Sequence, residues 1–302
     1  AVPERRVGTA LPERRVIISG GGTGGHLYPA LVVGRKLRDI DSGISLTYVG
    51  THRDVERKIM ENHEVDFIPM KIEGLKGRGL RSLKALAILP WSFVTAFRIL
   101  RRTKPALVIG VGGYSSGPIV LIASWLGIPT LILEPNASPG YTNRLLARWV
   151  RKAVVAFDST LPHFKNKGIR LGNPVREGFT HQPRKSRTDD LSVLVFGGSQ
   201  GSHFLNETVT AALPLLAAHK ARLKLTHQTG LHDLDWVSER YRSAGFAESE
   251  VAAYLIDMPR YFAQADLTVS RAGATTLAET IAARKAAILV PFAGASEDHQ
   301  TR

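Results

Sequence analysis

The chain has 302 residues, of which 44% are hydrophobic and 22% are charged, a composition typical of a globular protein large enough for two domains. It contains no cysteine, which excludes disulfide bonds, thiolate zinc sites and cysteine nucleophiles. The net charge of +14 lies wholly in residues 1–172, because residues 173–302 contain equal numbers of basic and acidic residues, and it predicts an anionic partner.

Short β-rich runs alternate with longer amphipathic runs in the first half of the chain. This alternation predicts a parallel sheet with helices on both faces. Ligands of such sheets bind beyond the carboxyl ends of the strands. The predicted helices include residues 27–38 and 138–149. The predicted strands are residues 16–19, 44–50, 65–70, 106–110, 130–133 and 152–157.

The pattern pauses near residue 172 and resumes after a polar stretch. We predict a domain boundary there, between a first domain of residues 1–172 and a second of residues 173–302. The second half opens as the first does, with a strand that runs into a glycine-rich turn. This weak internal repeat predicts two similar α/β domains with a ligand cleft between them. The predicted strands of the second half are residues 191–196, 222–226, 251–255, 267–270 and 287–290.

The most glycine-rich turn is GGGTGGH at residues 20–26, between the first predicted strand and a predicted helix. Its glycines allow the backbone to approach a ligand closely, and the N–H groups of a helix start favour phosphate. His26 can exchange a proton near neutral pH, either as a general base or as a residue that caps the helix or orients a ligand. The turn fits G-x-G-x-x-G, but the acidic residue expected after the second strand of an NAD(P) site is missing.

Residues 71–104 combine basic residues with an apolar stripe. They contain nine basic residues and one acidic residue, Glu73. The apolar residues recur at helical spacing, which is typical of a buried helix or of a helix that lies on a membrane surface. We predict both arrangements in one segment. Most of the apolar residues form a buried seam, and basic and apolar residues at the start of the segment form an exposed rim. A nucleic-acid partner is disfavoured because the basic residues of the first half are not interleaved with stacking aromatics.

Two more turns follow strands of the first half. GVGGYSSGP at residues 110–118 is the third glycine turn of the chain, counted with residues 20–26 and with the turn that opens the second half. EPN at residues 134–136 follows the next predicted strand. Tight packing explains the glycines of residues 110–118 equally well. Asn136 by itself is typical of an ordinary loop. Three such turns at the carboxyl ends of strands favour a broad cleft for a polar ligand.

The second half repeats this arrangement. GGSQGS at residues 197–202 and SRAGATTLAE at residues 270–279 each resemble a strand, a turn and a helix start. Glu279 could accept both hydroxyls of a ribose, or could simply interact with the helix dipole. EDHQ at residues 297–300 matches no metal-binding spacing.

Taken together, these motifs resemble the MurG family of undecaprenyl-diphospho-muramoylpentapeptide N-acetylglucosaminyltransferases. They span nearly the whole chain in the expected order, and as a set they are specific. The matching segments are GGGTGGH at 20–26, GVGGYSSGP at 110–118, EPN at 134–136, GNPVR at 172–176, GGSQGS at 197–202, LIDM at 255–258, SRAGATTLAE at 270–279 and EDHQ at 297–300.

The resemblance implies a GT-B glycosyltransferase, an α/β protein with two Rossmann-like domains, parallel sheets and an inter-domain cleft. It implies transfer of N-acetylglucosamine from UDP-GlcNAc to the C4 hydroxyl of the muramoyl sugar of lipid I, giving lipid II with inversion. The implied partners are UDP-GlcNAc, lipid I and an anionic membrane surface, with no nucleic acid, metal or cofactor. The implied location is peripheral, at the cytoplasmic face of the bacterial inner membrane, with the basic first half towards the lipid.

The resemblance also implies roles for particular residues. His26 is the favoured base, the first turn belongs to the acceptor side, and UDP binds the second domain. The other implied contacts are Thr23, Gly24 and Gly25 at the cleft, Tyr114 with substrate, Asn136 and Gln300 with the donor sugar, Arg176 and Ser199 with the nucleotide and its phosphates, Ile256 with uracil through its backbone, Ala274, Thr275 and Thr276 with the diphosphate and sugar, and Glu279 with the ribose.

The chain departs from the family pattern in two places. It has Leu133 and Pro135 around Glu134 where members commonly have His-Glu-Gln-Asn, and His299 where some have glutamine. We also expect one or two closing helices beyond residue 302. The alternatives are another GT-B enzyme of UDP-sugars, either an epimerase or a transferase with a soluble acceptor, an NAD(P) oxidoreductase, and a non-catalytic protein that binds lipid phosphate.

Overall fold

The structure is a computed structural model with two α/β units. The side chains of residues 24–26 and 80–88 are not described. The described residues are 14–21, 24–52, 56–57, 60–61, 63, 65–72, 80–180 and 190–292.

The first unit is built on a seven-stranded parallel sheet with the order β3-β2-β1-β4-β5-β6-β7. This is the doubly wound order, in which the chain starts at the centre and proceeds first to one edge and then to the other. The strands are β1 Arg14–Ser19, β2 Ile44–Gly50, β3 Asp66–Pro69, β4 Leu107–Gly110, β5 Thr130–Glu134, β6 Lys152–Val155 and β7 Gly168–Arg170.

Helices cover both faces of this sheet, and each face has its own buried cluster. One cluster centres on Ile17, Val108 and Ile132, and the other on Ile18 and Ile109, as expected for strands whose successive side chains point to opposite faces. The described helices are α1 Gly24–Ile40, α2 Leu80–Thr103, α3 Ser116–Trp125 and α4 Tyr141–Leu146, followed by a 3₁₀ segment Asp158–Lys167.

The second unit has a five-stranded parallel sheet with the order β10-β9-β8-β11-β12, the same winding as in the first unit. Its strands are β8 Leu191–Phe196, β9 Leu223–Gln228, β10 Glu250–Ala252, β11 Leu267–Arg271 and β12 Ala286–Val290. Its described helices are α5 His203–Leu216, α6 Leu234–Ser243, α7 Met258–Gln264 and α8 Ala274–Ala282, with a 3₁₀ segment Ala217–Arg222 after α5.

The predicted alternation of strands and helices is confirmed in both halves. β7 ends at Arg170 and β8 begins at Leu191. The boundary that we predict at residue 172 lies between them and stays a prediction. The two units touch where Tyr28 of α1 meets Tyr254, with 2.6 Å between the hydroxyl oxygens.

Three differences from the sequence prediction have a clear physical reason. The predicted helix 138–149 is reduced to α4, because Pro139 and Gly140 precede it and the Gly140 N–H is bonded to Glu134 instead. The predicted strand 251–255 is only Glu250–Ala252, since the Leu255 N–H bonds to a side chain and not to a strand. The edge strand β7 is not predicted from the sequence, because its three residues carry little periodicity to detect.

The predicted seam in residues 71–104 is partly confirmed. α2 continues through Pro90 and buries Ala96 and Leu100 against the sheet. Trp91 and Phe97 on the same helix are exposed. The rim predicted at the start of the segment falls mainly on residues 73–79 and on the side chains of residues 80–88, which lie outside the described part of the structure.

Candidate active site

The first two glycine turns of the first unit pack directly against each other. They follow β1 and β4, which are neighbours in the sheet. A Cβ on Gly20 would lie 2.2 Å from Cγ2 of Val111, and one on Gly113, whose φ is +79°, would lie 2.2 Å from the carbonyl oxygen of Gly21. Only glycine allows this approach. The next residue, Tyr114, is partly exposed.

A buried carboxylate supports the same turn from the side. Glu56 is 1% exposed and accepts hydrogen bonds from the N–H of Thr51 at 2.7 Å and from its hydroxyl at 2.6 Å. A Cβ on Gly21 would lie 2.6 Å from a carboxylate oxygen of Glu56. Glu56 is not predicted from the sequence, because an acidic residue in a short amphipathic segment gives no signal of its burial.

Gly24, Gly25 and His26 form the first turn of α1. The N–H groups of a first turn have no partner within the helix, so this turn can bind an anion through its backbone. Thr23 and the side chain of His26 lie outside the described part of the structure. The role of His26 as base therefore stays a prediction.

The loop after β5 is organised by Glu134, which is 2% exposed. One carboxylate oxygen accepts from the N–H of Asn136 at 3.0 Å and from its Nδ2 at 3.1 Å. The other accepts from the N–H of Gly140 and from Nδ2 of Asn143, both at 2.9 Å. Burial raises the pKa of Glu134, and these four donors act in the opposite direction. Glu134 thus fixes the predicted sugar ligand Asn136 by its backbone and its side chain.

In the second unit, the structure brings together two predicted nucleotide ligands as an ion pair. Arg176 Nε donates to one carboxylate oxygen of Glu279 at 2.7 Å, and its terminal nitrogen donates to the other at 3.1 Å. Glu279 is 4% exposed and lies in α8. The guanidinium also stacks 4.2 Å from the ring centre of Tyr28. A bidentate pair of this kind fixes the orientation of the carboxylate.

The start of α8 is open for an anion. Its N-cap is Gly273, which has extended backbone angles and no side chain that could occupy the position of a bound phosphate. Ala274, Thr275 and Thr276 form the first turn. α5 differs, because its N-cap Ser202 accepts a hydrogen bond from Leu205 N–H through its own side chain.

Arg271 connects the glycine turn after β8 with the end of β12. Its Nε donates to Oγ of Ser202 at 2.9 Å, and its terminal nitrogen donates to the carbonyl of Pro291 at 2.8 Å. Arg271 belongs to the SRAGATTLAE motif, but the sequence alone assigns it no role. Its position directly before a glycine turn was the available signal.

The predicted site residues therefore form two groups at the carboxyl ends of the two sheets. Gln300 lies outside the described residues. Ile256, in the loop after β10, is 87% exposed. The first group contains Gly24, Gly25, His26, Tyr114 and Asn136, and the second contains Arg176, Ser199, Ile256, Ala274, Thr275, Thr276 and Glu279.

Comparison with known proteins agrees with this geometry. The family model described as "Glycosyltransferase family 28 N-terminal domain" matches residues 16–155, and "Glycosyltransferase family 28 C-terminal domain" matches residues 192–302. A Myxococcus xanthus relative is 44% identical over 290 residues, which cover 95% of this chain and 76% of the relative. Its name is "UDP-N-acetylglucosamine--N-acetylmuramyl-(pentapeptide) pyrophosphoryl-undecaprenol N-acetylglucosamine transferase". The chain belongs to the MurG family.

Other comparisons place the chain in the same family. A Syntrophus aciditrophicus relative of the same name is 43% identical, with 95% of this chain and 80% of the relative covered. The crystal structure of Acinetobacter baumannii MurG matches with a TM-score of 0.71 and 30% identity, covering 95% of this chain and 81% of that one. The predicted MurG resemblance and GT-B fold are confirmed.

Two further observations concern the described part of this MurG-family chain. No helix there combines the length and the apolar character needed to cross a membrane. Within the same residues, no group of three or more histidine, aspartate or glutamate side chains could hold a metal ion.

A buried histidine lies beneath the second group. His227 is fully buried on β9, with Nδ1 3.0 Å from the hydroxyl of Tyr241 and Nε2 3.0 Å from Oδ1 of Asn206. Because Asn206 Oδ1 can only accept, the Nε2–H donates to it and Nδ1 accepts from Tyr241. Burial lowers the pKa of His227 to about 4. The native state therefore holds a neutral imidazole.

This network predicts a loss of stability in acid. The unfolded chain protonates His227 below its ordinary pKa of 6.5, whereas the folded chain does so only near 4. Stability is therefore complete above pH 6.5 and falls as the pH drops to about 4, by about 3 kcal/mol in total. We expect urea unfolding between pH 7 and pH 4 to show this loss in the wild type and to show a smaller one in His227→Gln. Equal pH dependence of the two proteins would contradict the assignment.

Proposed function

We propose that this chain transfers N-acetylglucosamine from UDP-GlcNAc to the C4 hydroxyl of the muramoyl sugar of lipid I, giving lipid II with inversion. The supporting observation is the match to family relatives named for this transfer along 95% of the chain, together with an anion-type helix start in each unit. The step belongs to peptidoglycan synthesis.

The donor nucleotide binds the second unit. The diphosphate is held by the open first turn of α8 and by the glycine turn 197–202, where Ser199 lies. Glu279 receives the ribose hydroxyls. A carboxylate has about four acceptor sites, and Arg176 uses one on each oxygen, so two remain for the ribose. Glu279 thus binds the ribose while its ion pair with Arg176 stays intact.

The chemical step is a direct displacement. His26 takes the proton from the C4 hydroxyl as its oxygen attacks the anomeric carbon of N-acetylglucosamine, and the bond from that carbon to the UDP oxygen breaks. The departing diphosphate gains negative charge, which the N–H groups at the start of α8 stabilise. Inversion follows because the oxygen enters opposite to the leaving group.

The first unit supplies the acceptor side. The first turn of α1, with Gly24 and Gly25, lies under the diphosphate of the lipid and places His26 at the muramoyl hydroxyl. Glu134 accepts from one N–H of Nδ2 of Asn136 and so orients the amide, whose oxygen and second N–H are offered to hydroxyls of the donor sugar. Tyr114, at the neighbouring turn, contacts substrate.

An exposed aromatic and basic face of α2 contacts the anionic membrane. Trp91 and Phe97 are exposed on this helix, and so are Arg98 and Arg101. α2 lies between the carboxyl end of β3 and the amino end of β4, so its first half, with Trp91, lies towards the edge of the sheet where the acceptor binds. Tryptophan together with arginine is typical of proteins that lie at a lipid surface. We propose that the enzyme lies at the cytoplasmic face of the inner membrane, where lipid I is presented, and this surface supports that location.

The transfer is tested by incubating the chain with labelled UDP-GlcNAc and a lipid I analogue. We expect label in the lipid product with inverted anomeric configuration. His26→Ala should lower kcat by about 10²–10⁴-fold, the usual contribution of a general base. Product analysis and steady-state kinetics measure both effects.

The chemistry of the products distinguishes the alternatives. Binding of UDP-GlcNAc without transfer would contradict the transferase proposal. Conversion of UDP-GlcNAc to another UDP-sugar without any acceptor would indicate an epimerase. A kcat of His26→Ala within a few-fold of the wild type would assign the base to another residue.

The membrane surface is tested by vesicle sedimentation with phosphatidylglycerol in phosphatidylcholine. Replacing Trp91 and Phe97 by serine should reduce binding about tenfold or more, because it removes apolar area that enters the interface. Binding of the wild type should weaken as salt is raised. The matched control replaces Leu215 and Leu231 of the second unit, which are even more exposed, by serine. If the two double variants bind alike, the membrane surface has been placed wrongly.

A further inference from the structure

Gln228, the last residue of β9, is 1% exposed and joins two loops of the second unit. β9 lies between β10 and β8 in the sheet. Nε2 of Gln228 donates to the carbonyl of Gly198 at 2.8 Å, in the turn after β8. Its Oε1 accepts from the N–H of Leu255 at 2.8 Å, in the loop after β10. One buried side chain therefore spans the turn 197–202 and the loop that contains Ile256.

The backbone around this bridge is packed closely. A Cβ on Gly201 would lie 1.9 Å from the carbonyl oxygen of Thr229, and one on Gly230 would lie 2.3 Å from the carbonyl oxygen of Gln200. Both glycines have positive φ. The turn 197–202 is therefore fixed against the end of β9. The Gln228 amide extends that fixed contact to the Leu255 backbone.

A primary amide is the group that suits both ends of this bridge. It donates at its nitrogen and accepts at its oxygen. A glutamate carboxylate could accept from Leu255 N–H, but its other oxygen would face the Gly198 carbonyl with no proton between them. Methionine has similar length and makes neither bond, which leaves a buried donor and a buried acceptor unpaired. A protonated glutamic acid again has one donor and one acceptor.

We propose that Gln228 is a positioning residue for the donor nucleotide. It holds the turn of Ser199, assigned to the phosphates, at a fixed distance from Ile256, assigned to the uracil. UDP has its base at one end and its diphosphate at the other, so tight binding requires both loops at the correct spacing at once. The inference rests on the proposed function and adds to it a residue that touches no substrate.

The test compares Gln228→Met with the wild type by calorimetric titration of UDP and of uridine. UDP affinity should fall about 10–100-fold, because both bonds of the bridge are lost. Uridine affinity should fall less, because a ligand without the diphosphate does not need both loops. The KM for UDP-GlcNAc should rise by the same factor as the Kd for UDP, with kcat changed less than about threefold.

Two further variants separate positioning from general loss of structure. Thr268→Val removes a buried hydrogen bond to the Ala286 carbonyl at the other end of the same sheet, and should leave UDP affinity within about twofold. Gln228→Glu should behave like the methionine variant at pH 8 and should regain UDP affinity as the pH is lowered towards 5, relative to the wild type at each pH. If Gln228→Met does not fold, the recovery of UDP affinity in Gln228→Glu still tests the positioning role.

The wild-type titration is read first, because a wild type that does not bind UDP contradicts the proposed function itself. If the wild type binds and the Gln228 variants bind within twofold of it, the positioning role is wrong and the proposed function stands. A loss confined to kcat, with KM unchanged, would equally overturn the positioning role.

Discussion

The close approach of backbone to backbone at the carboxyl ends of the strands is the constraint on which both units depend. In the first unit Gly113 packs on Gly21, and in the second Gly201 packs on the carbonyl of Thr229. A side chain at either glycine would separate the turns. Because the turns of the first unit meet, the start of α1 lies at the sheet edge with its N–H groups available for an anion. In the second unit the open helix start is that of α8, which follows β11, the neighbour of β8. The substrates of the proposed reaction contribute a diphosphate on each side.

Buried polar side chains then set the spacing that glycine packing alone leaves undefined. Glu134 organises the Asn136 loop, Arg271 links the ends of three strands, and Gln228 joins the two loops assigned to the ends of UDP. Glu134 ties the loop after β5 to α4, whereas Arg271 and Gln228 each make hydrogen bonds to two separate segments. These bonds convert separate segments into one rigid surface. Preorganisation of this kind reduces the cost of ordering the site when substrate binds.

The sequence predicted the architecture because the information was local. Alternating strands and helices, and glycines at strand ends, can be recognised without knowing the tertiary structure. The site was predictable only in outline. Arg176 and Glu279 were assigned separate ligands, whereas they pair with each other across 103 residues of chain. A glutamine at a strand end gives no signal of a bridge, because its partners are backbone groups that tertiary packing brings near.

The central claim is that the donor nucleotide binds the second unit and that the first glycine turn serves the acceptor. Amide hydrogen exchange with and without UDP tests it most directly. The account predicts slower exchange at residues 197–202, 255–256 and 274–276, and unchanged exchange in the first turn of α1 at residues 24–26. Protection of residues 24–26 by UDP, with no change at residues 274–276, would contradict it.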